Sequence, residues 1–139
     1  DKINELRFHA QGSVQYVKLK KTLPFVLFNV RTNGGRKDGD VISYNPFLFL
    51  DVDKIAPDHF DTVKQEILRS FPSVLMCWRS CGGRGLGILI RTTGIGDHNW
   101  SSLRAHFAPF DFHGYRFDPN CFTRTRPTFI SINDDAFFN

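Results

Sequence analysis

Asp51-Val52-Asp53 closes an apolar run, Phe47-Leu48-Phe49-Leu50. The run reads as a buried strand. Strand side chains alternate faces, so the two carboxylates should sit side by side at the strand end. Adjacent carboxylates repel unless a cation or a shared proton neutralises them. Oxygen-only ligands of this kind suit Mg²⁺ or Mn²⁺, the ions of phosphoryl and nucleotidyl transfer. An Asp at a strand end is also common in turns and helix caps. The pair therefore gains meaning only if the chain also supplies a phosphate cradle and a third carboxylate.

Candidates for both are present. Ser80-Cys81-Gly82-Gly83-Arg84-Gly85-Leu86-Gly87 lies between two apolar runs. Its glycines allow positive φ and let backbone N–H groups approach an anion. Arg84 adds charge at the tip, Arg79 flanks the loop, and Ser80 can donate to a phosphate oxygen. No Lys-Ser/Thr follows and a strand comes next, so it is not a Walker loop; the plain alternative is a flexible hairpin. Asp118 follows Tyr115-Arg116-Phe117 and is the candidate third metal ligand or activating base, with an Asp-Pro turn as the competing role. Arg124 and Arg126 alternate before Pro127, which places them on one face of an extended segment. Guanidinium forks match phosphate oxygens; an exposed basic strand edge would need the same residues. His98 opens a helix, and His9, His59, His106 and His113 have no metal spacing among themselves.

The elements that must position these groups can be read along the chain. Residues 14–19 and 25–30 are expected to be strands, and 32–40 a polar turn-rich loop. A short strand at 41–44 and a central one at 47–52 follow. Phe60, Val63, Ile67, Leu68 and Phe71 recur at helical spacing, with Asp58 as a cap and Pro72 as a stop. Strands at 73–79 and 88–92 flank the glycine loop. A helix over about 98–109 carries Trp100, Leu103, Phe107 and Phe110 on one face. A short strand near 115–118 and a longer one at 127–132 end the chain. The order predicts an α+β fold built on a split β-α-β unit, preceded by a strand-rich extension. Phe47, Phe49 and Phe129 read as core rather than as base-stacking platforms.

Composition bounds the rest. The 139 residues suit one domain, 1–139, with 41% hydrophobic content and 15 Phe. Eighteen Lys and Arg against 14 Asp and Glu give a net charge of +4, compatible with a polyanionic partner. No apolar stretch is long enough to span a bilayer, and the first residues are polar. Three cysteines, Cys77, Cys81 and Cys121, form neither a disulfide framework nor a zinc site. Reduced thiols in a cytoplasmic protein are the expectation.

Taken together, these pieces resemble the archaeo-eukaryotic primase superfamily, in its primase–polymerase-like branch from bacterial mobile elements and phages (VirE N-terminal-type). Lys20-Lys21-Thr22-Leu23-Pro24 resembles an early K-x-x-L-P element, and Phe49 to Asp53 the metal-binding hDhD motif. Ser80 to Gly87 resembles the second, phosphate-handling motif, and Phe117-Asp118 the third. Arg126 to Ser131 resembles the R-x-x-F-x-S strand.

The resemblance implies an RRM-like, palm-type core and a DNA primase/polymerase. Asp51, Asp53 and Asp118 would hold two Mg²⁺ or Mn²⁺ ions. Ser80, Gly82, Gly83, Arg84, Gly85 and Arg126 would hold a nucleoside triphosphate, and Arg124, Lys20 and Lys21 a single-stranded or primed DNA template. It further implies a helicase domain or protein as partner, no membrane, and an N-terminal place in a larger replication protein. Many members carry an imidazole in motif two, where this chain has Leu86-Gly87. The alternative is therefore a catalytically degenerate module that binds single-stranded DNA or a replication partner. A DxD sugar-nucleotide transferase is a third reading, in which the Arg-rich end has no role.

Overall fold

The computed structural model describes residues 1–93, 96, 99–129, 131 and 135–139. Two helices, α1 (Lys2–Phe8) and α2 (Val14–Lys20), open the chain. Short strands follow: β1 (Phe25–Val26), β2 (Val30–Thr32) and β3 (Val41–Tyr44). The centre is β4 (Phe47–Val52), α3 (Phe60–Ser70), β5 (Val74–Arg79), β6 (Leu86–Arg91) and α4 (Trp100–Phe107). β7 (Thr128–Phe129) and β8 (Phe137–Phe138) complete it.

The main sheet has the order β4-β6-β5-β8. β6 is antiparallel to both β4 and β5, so those two are parallel to each other and α3 joins them across the inserted strand. This is the split β-α-β arrangement, and the fold is α+β with antiparallel sheets. Alternation divides β4 and β6 between two faces, and β5 joins them after a register irregularity between Val74 and Met76. Leu48, Leu50 and Val52 of β4 and Leu86, Ile88 and Ile90 of β6 pack with Phe60, Val63 and Ile67 of α3 and Phe107 of α4. Phe71, at the end of α3, gathers Phe107, Phe110, Phe112 and Phe117 around its ring. The opposite face carries Phe49, Trp78 and Leu89, with Phe28 against them.

Several elements differ from the expectation. Residues 14–19 form a helix, not a strand, so the N-terminal extension is helical. Ser13 caps it, its Oγ accepting from the Tyr16 amide at 3.2 Å. Only Tyr16 of α2 is buried, so the alternating apolar residues have no sheet to join. The 25–30 segment splits: β1 pairs with β7, and β2 pairs with β3. Asn29 between them is buried; its amide donates to the Thr123 carbonyl at 3.0 Å and its carbonyl accepts from the Phe49 amide at 2.8 Å. Asp58 sits in a 3₁₀ turn, and no side chain caps α3. β6 starts at Leu86, so the glycine loop is tighter than expected. The 115–118 segment makes isolated bridges, Val52 to Phe117 and Phe112 to Tyr115, instead of a strand. At 127–132 only Thr128 and Phe129 pair, with residues 130 and 132 outside the described set. Among the described residues no helix is long and apolar enough to cross a membrane.

Candidate functional site

Asp51 faces away from the helices because it alternates with Leu50 and Val52 on β4. It stands opposite Gly87 of β6, which in turn pairs with Trp78 of β5. A Cβ on Gly87 would lie 2.8 Å from the Trp78 ring and 3.2 Å from that of Phe49. Glycine there lets both rings close over the sheet beside the carboxylate. Asp53 follows at the strand end. Lys54 then takes φ +60, a left-handed conformation uncommon for a side-chain-bearing residue, and turns the chain away.

Asp118 comes from far along the chain and is fixed by the backbone. Its amide donates to the Asp51 carbonyl at 2.7 Å, beside the Val52–Phe117 bridge. Its Oδ1 accepts from the Asn120 amide at 2.9 Å, so it caps a 3₁₀ turn as the Asp-Pro sequence suggests. It also joins the acidic group: one ligand oxygen from each of Asp51, Asp53 and Asp118 lies within 4.8 Å of the others. Oδ1 caps the turn while Oδ2 accepts from Arg126, so the turn leaves the second oxygen facing the cluster's guanidinium.

Arg126 sits against this trio. Its Nη2 donates to Asp51 Oδ2 at 3.2 Å and to Asp118 Oδ2 at 2.9 Å. Burial pushes the Asp51 carboxyl up to about 6, helped by the charges of Asp53 and Asp118 and opposed by Arg126. The cluster thus has an excess of negative charge that one guanidinium does not fully offset. Oxygen donors of this number and spacing could hold a hard cation.

A cavity of about 400 Å³ opens beside the cluster. Asp51, Asp53, Arg126, Ser80 and Gly82 line it, with Lys20, Tyr16, Trp78 and Thr128. The Thr128 hydroxyl is buried and has no hydrogen-bond partner among the described residues. The Lys20 ammonium lies 5.4 Å from the Phe129 ring centre and 5.8 Å from that of Tyr16. Burial, then the charges of Cys81 and Asp53, raise the Tyr16 hydroxyl pKa. The thiols of Cys77 and Cys121 are pushed up to about 12, mainly by burial, so neither is a nucleophile here. All three cysteines are free.

The glycine loop is braced at three points. The Ser80 amide donates to Gly85 O at 2.8 Å, the Gly83 amide to Ser80 O at 2.8 Å, and the Ile55 amide to Arg84 O at 2.9 Å. A Cβ on Gly85 would lie 2.8 Å from Asp53 Oδ1, so Gly85 makes room for that carboxylate rather than lining the cavity. Gly83 and Arg84 also lie off the cavity, on a second groove. Lys21 is exposed and away from it. Arg124 does not follow Arg126 to the acidic trio; it lies 3.7 Å from Asp38. His98 is outside the described residues.

Tyr16, Gln11, Trp78 and Thr128 are cavity residues that sequence reasoning did not select. Gly87 opposite Asp51 was the available signal for Trp78. None existed for Tyr16, which lay in a segment read as a strand.

With this arrangement established, the class of the chain is an α+β domain whose sheet end carries three convergent carboxylates. Its family is identified by sequence: the chain belongs to the BT4734-like, N-terminal domain family, whose model matches residues 18–138. No curated protein and no solved structure matches it.

Proposed function

We propose that the domain is a nucleotidyltransferase of primase–polymerase type, adding nucleotides to a 3′-hydroxyl on a nucleic-acid template. One observation carries the reading: carboxylates from distant segments of the chain, Asp51, Asp53 and Asp118, converge within 4.8 Å beside a cavity with basic and glycine walls. The donor set fits Mg²⁺ or Mn²⁺, because all three ligands are hard oxygens and the trio already draws a cationic side chain. Such ions supply activation of the attacking hydroxyl and neutralisation of the triphosphate.

The chain's own residues do the rest. Asp51 and Asp118 hold Arg126 at the rim of the cavity, where the guanidinium can turn to a phosphate oxygen once the carboxylates are otherwise neutralised. Ser80 and the Gly82 backbone form the wall that meets the phosphates. The buried Thr128 hydroxyl, without a partner among the described residues, offers a bound nucleotide a donor. The RRM-like, palm-type form of the fold belongs to this reading and is supported by the split β-α-β order. So do nucleoside triphosphates, a single-stranded or primed DNA template, a helicase domain or protein, and a cytoplasmic place.

The test is primer extension with Mg²⁺ or Mn²⁺. Asp53→Ala is expected to abolish incorporation while the protein remains folded; extension at the wild-type rate would remove the metal assignment. Stabilisation in a thermal-shift titration should need both Mn²⁺ and a nucleoside triphosphate, and vanish in Asp53→Asn.

A second reading, a non-catalytic nucleic-acid-binding module, is favoured by one feature. Where an imidazole would stand in motif two, Leu86 is fully buried and Gly87 lies beneath the Trp78 ring, so neither position has room for it. DNA binding with no response to nucleotide is the outcome that selects this reading.

A further inference from the structure

Residues before the family-matched segment are built into the glycine loop. Leu6 of α1 is fully buried in a cluster with Tyr16, Leu23 and Cys81. Gln11 Nε2 donates to the Gly82 carbonyl at 3.2 Å. The Arg7 side chain runs along Gly83, which takes φ +76; a Cβ there would lie 3.4 Å from Arg7 Nε. A Cβ on Gly82 would lie 2.5 Å from the Tyr16 hydroxyl. The glycines are therefore needed for close packing by the N-terminal helices as well as for the loop's own turn.

This clasp creates a second concavity on the far side of the loop, a groove of about 420 Å³ lined by Arg7, His9, Arg79 and Arg84. Gln11 and Gly82 line both this groove and the carboxylate cavity, so the two are neighbours across one saddle. The cations there differ in their commitments. Arg79 lies over the Phe60 ring at 3.9 Å and 3.6 Å from Asp135. Arg7 and Arg84 are exposed and make no ion pair among the described residues. The carbonyl of Arg84 is held by the Ile55 amide, which fixes the base of its side chain. His9 stands on the same wall, so the groove brings together two uncommitted guanidinium groups and an imidazole. A positively charged groove that tracks the backbone is how single strands are held without reading sequence.

We propose that the groove formed by Arg7, His9 and Arg84 behind the glycine loop binds the sugar–phosphate backbone of a single-stranded nucleic acid, and that the strand crosses Gln11 and Gly82 toward the carboxylate cavity. The direction of the strand rests on the nucleotidyltransferase reading; the binding itself does not. Lys20 and Arg126 continue the positive lining on the cavity side.

The experiment is fluorescence anisotropy with a labelled oligodeoxythymidylate in EDTA, over a series of salt concentrations. Arg84→Glu, at an exposed loop tip, and Arg7→Gln are compared singly and together. The double variant is expected to bind about tenfold or more weakly, with a slope of log K against log salt shallower by about 1.5. Arg84→Glu alone should weaken binding with an unchanged melting temperature, which keeps the test valid if Arg7→Gln loosens α1. Wild-type affinity in Arg84→Glu would overturn the proposal. Inorganic tripolyphosphate is the second probe. If its binding falls in Arg84→Glu while oligonucleotide affinity holds, the groove takes a triphosphate tail and the proposal is overturned. Oligonucleotide binding that depends on Arg84, in a protein that transfers no nucleotide, would support the groove and end the enzyme reading.

Discussion

The two faces of the β4–β6–β5 sheet come from the same strands yet do opposite work. One face carries Leu48, Leu50, Val52, Leu86, Ile88 and Ile90, all closed off by α3 and α4. The other carries Phe49, Asp51, Gly87 and Trp78, with a cavity against them. Period-two alternation lets one strand spend half its residues on stability and the other half on a charged site. The closed face tolerates an unfavourable open one: a buried carboxylate with two acidic neighbours is destabilising where it sits, and the apolar side holds it there.

That contrast can be broken from either face. On the closed face, Leu50→Ala should lower unfolding free energy by about 2–5 kcal/mol, because Leu50 is fully buried and its neighbours are fixed in a sheet; urea denaturation measures it. On the open face the sign reverses. The Asp51 carboxyl titrates near 6 in the folded protein, above its ordinary 3.8, so the native state binds the extra proton in that interval. The associated stability is present at low pH and is lost as pH rises through about 6. Asp51→Asn should therefore raise stability at pH 7 by up to about 3 kcal/mol, with the gain vanishing near pH 4. Melting curves at the two pH values decide it; a variant less stable than wild type at pH 7 would show that the Arg126 contact outweighs burial. Gly87→Ala is expected to have the smallest effect, about 1–3 kcal/mol of destabilisation from forcing the Trp78 ring aside. Trp78 fluorescence should shift in the same variant, since its ring is the atom group displaced.

The closed face was legible in the sequence and the open one only in part. β4, α3 and β5 follow from apolar runs and helical spacing because burial alone selects those residues. Asp51 and Asp53 were legible as a pair because alternation is local. Asp118 was legible as a candidate, but its convergence on Asp51 depends on a bridge between distant segments that no local pattern encodes. Arg84 shows the limit. In a loop there is no alternation to say which way a side chain points, and it faces the groove behind the loop rather than the acidic cavity. Residues 14–19 were misleading because Val14 and Val17 suit a strand by type, yet both are exposed on a short helix whose register is set by Ser13 and by Tyr16 packing on the loop.

The hydrogen bond from the Asp118 amide to the Asp51 carbonyl has a consequence for how the protein is made. β6 ends at Arg91, so β4, β5 and β6 leave the ribosome ahead of residue 118. The acidic centre is completed only when the later segment closes back onto β4, and the entropy of closing that span grows only slowly with its length.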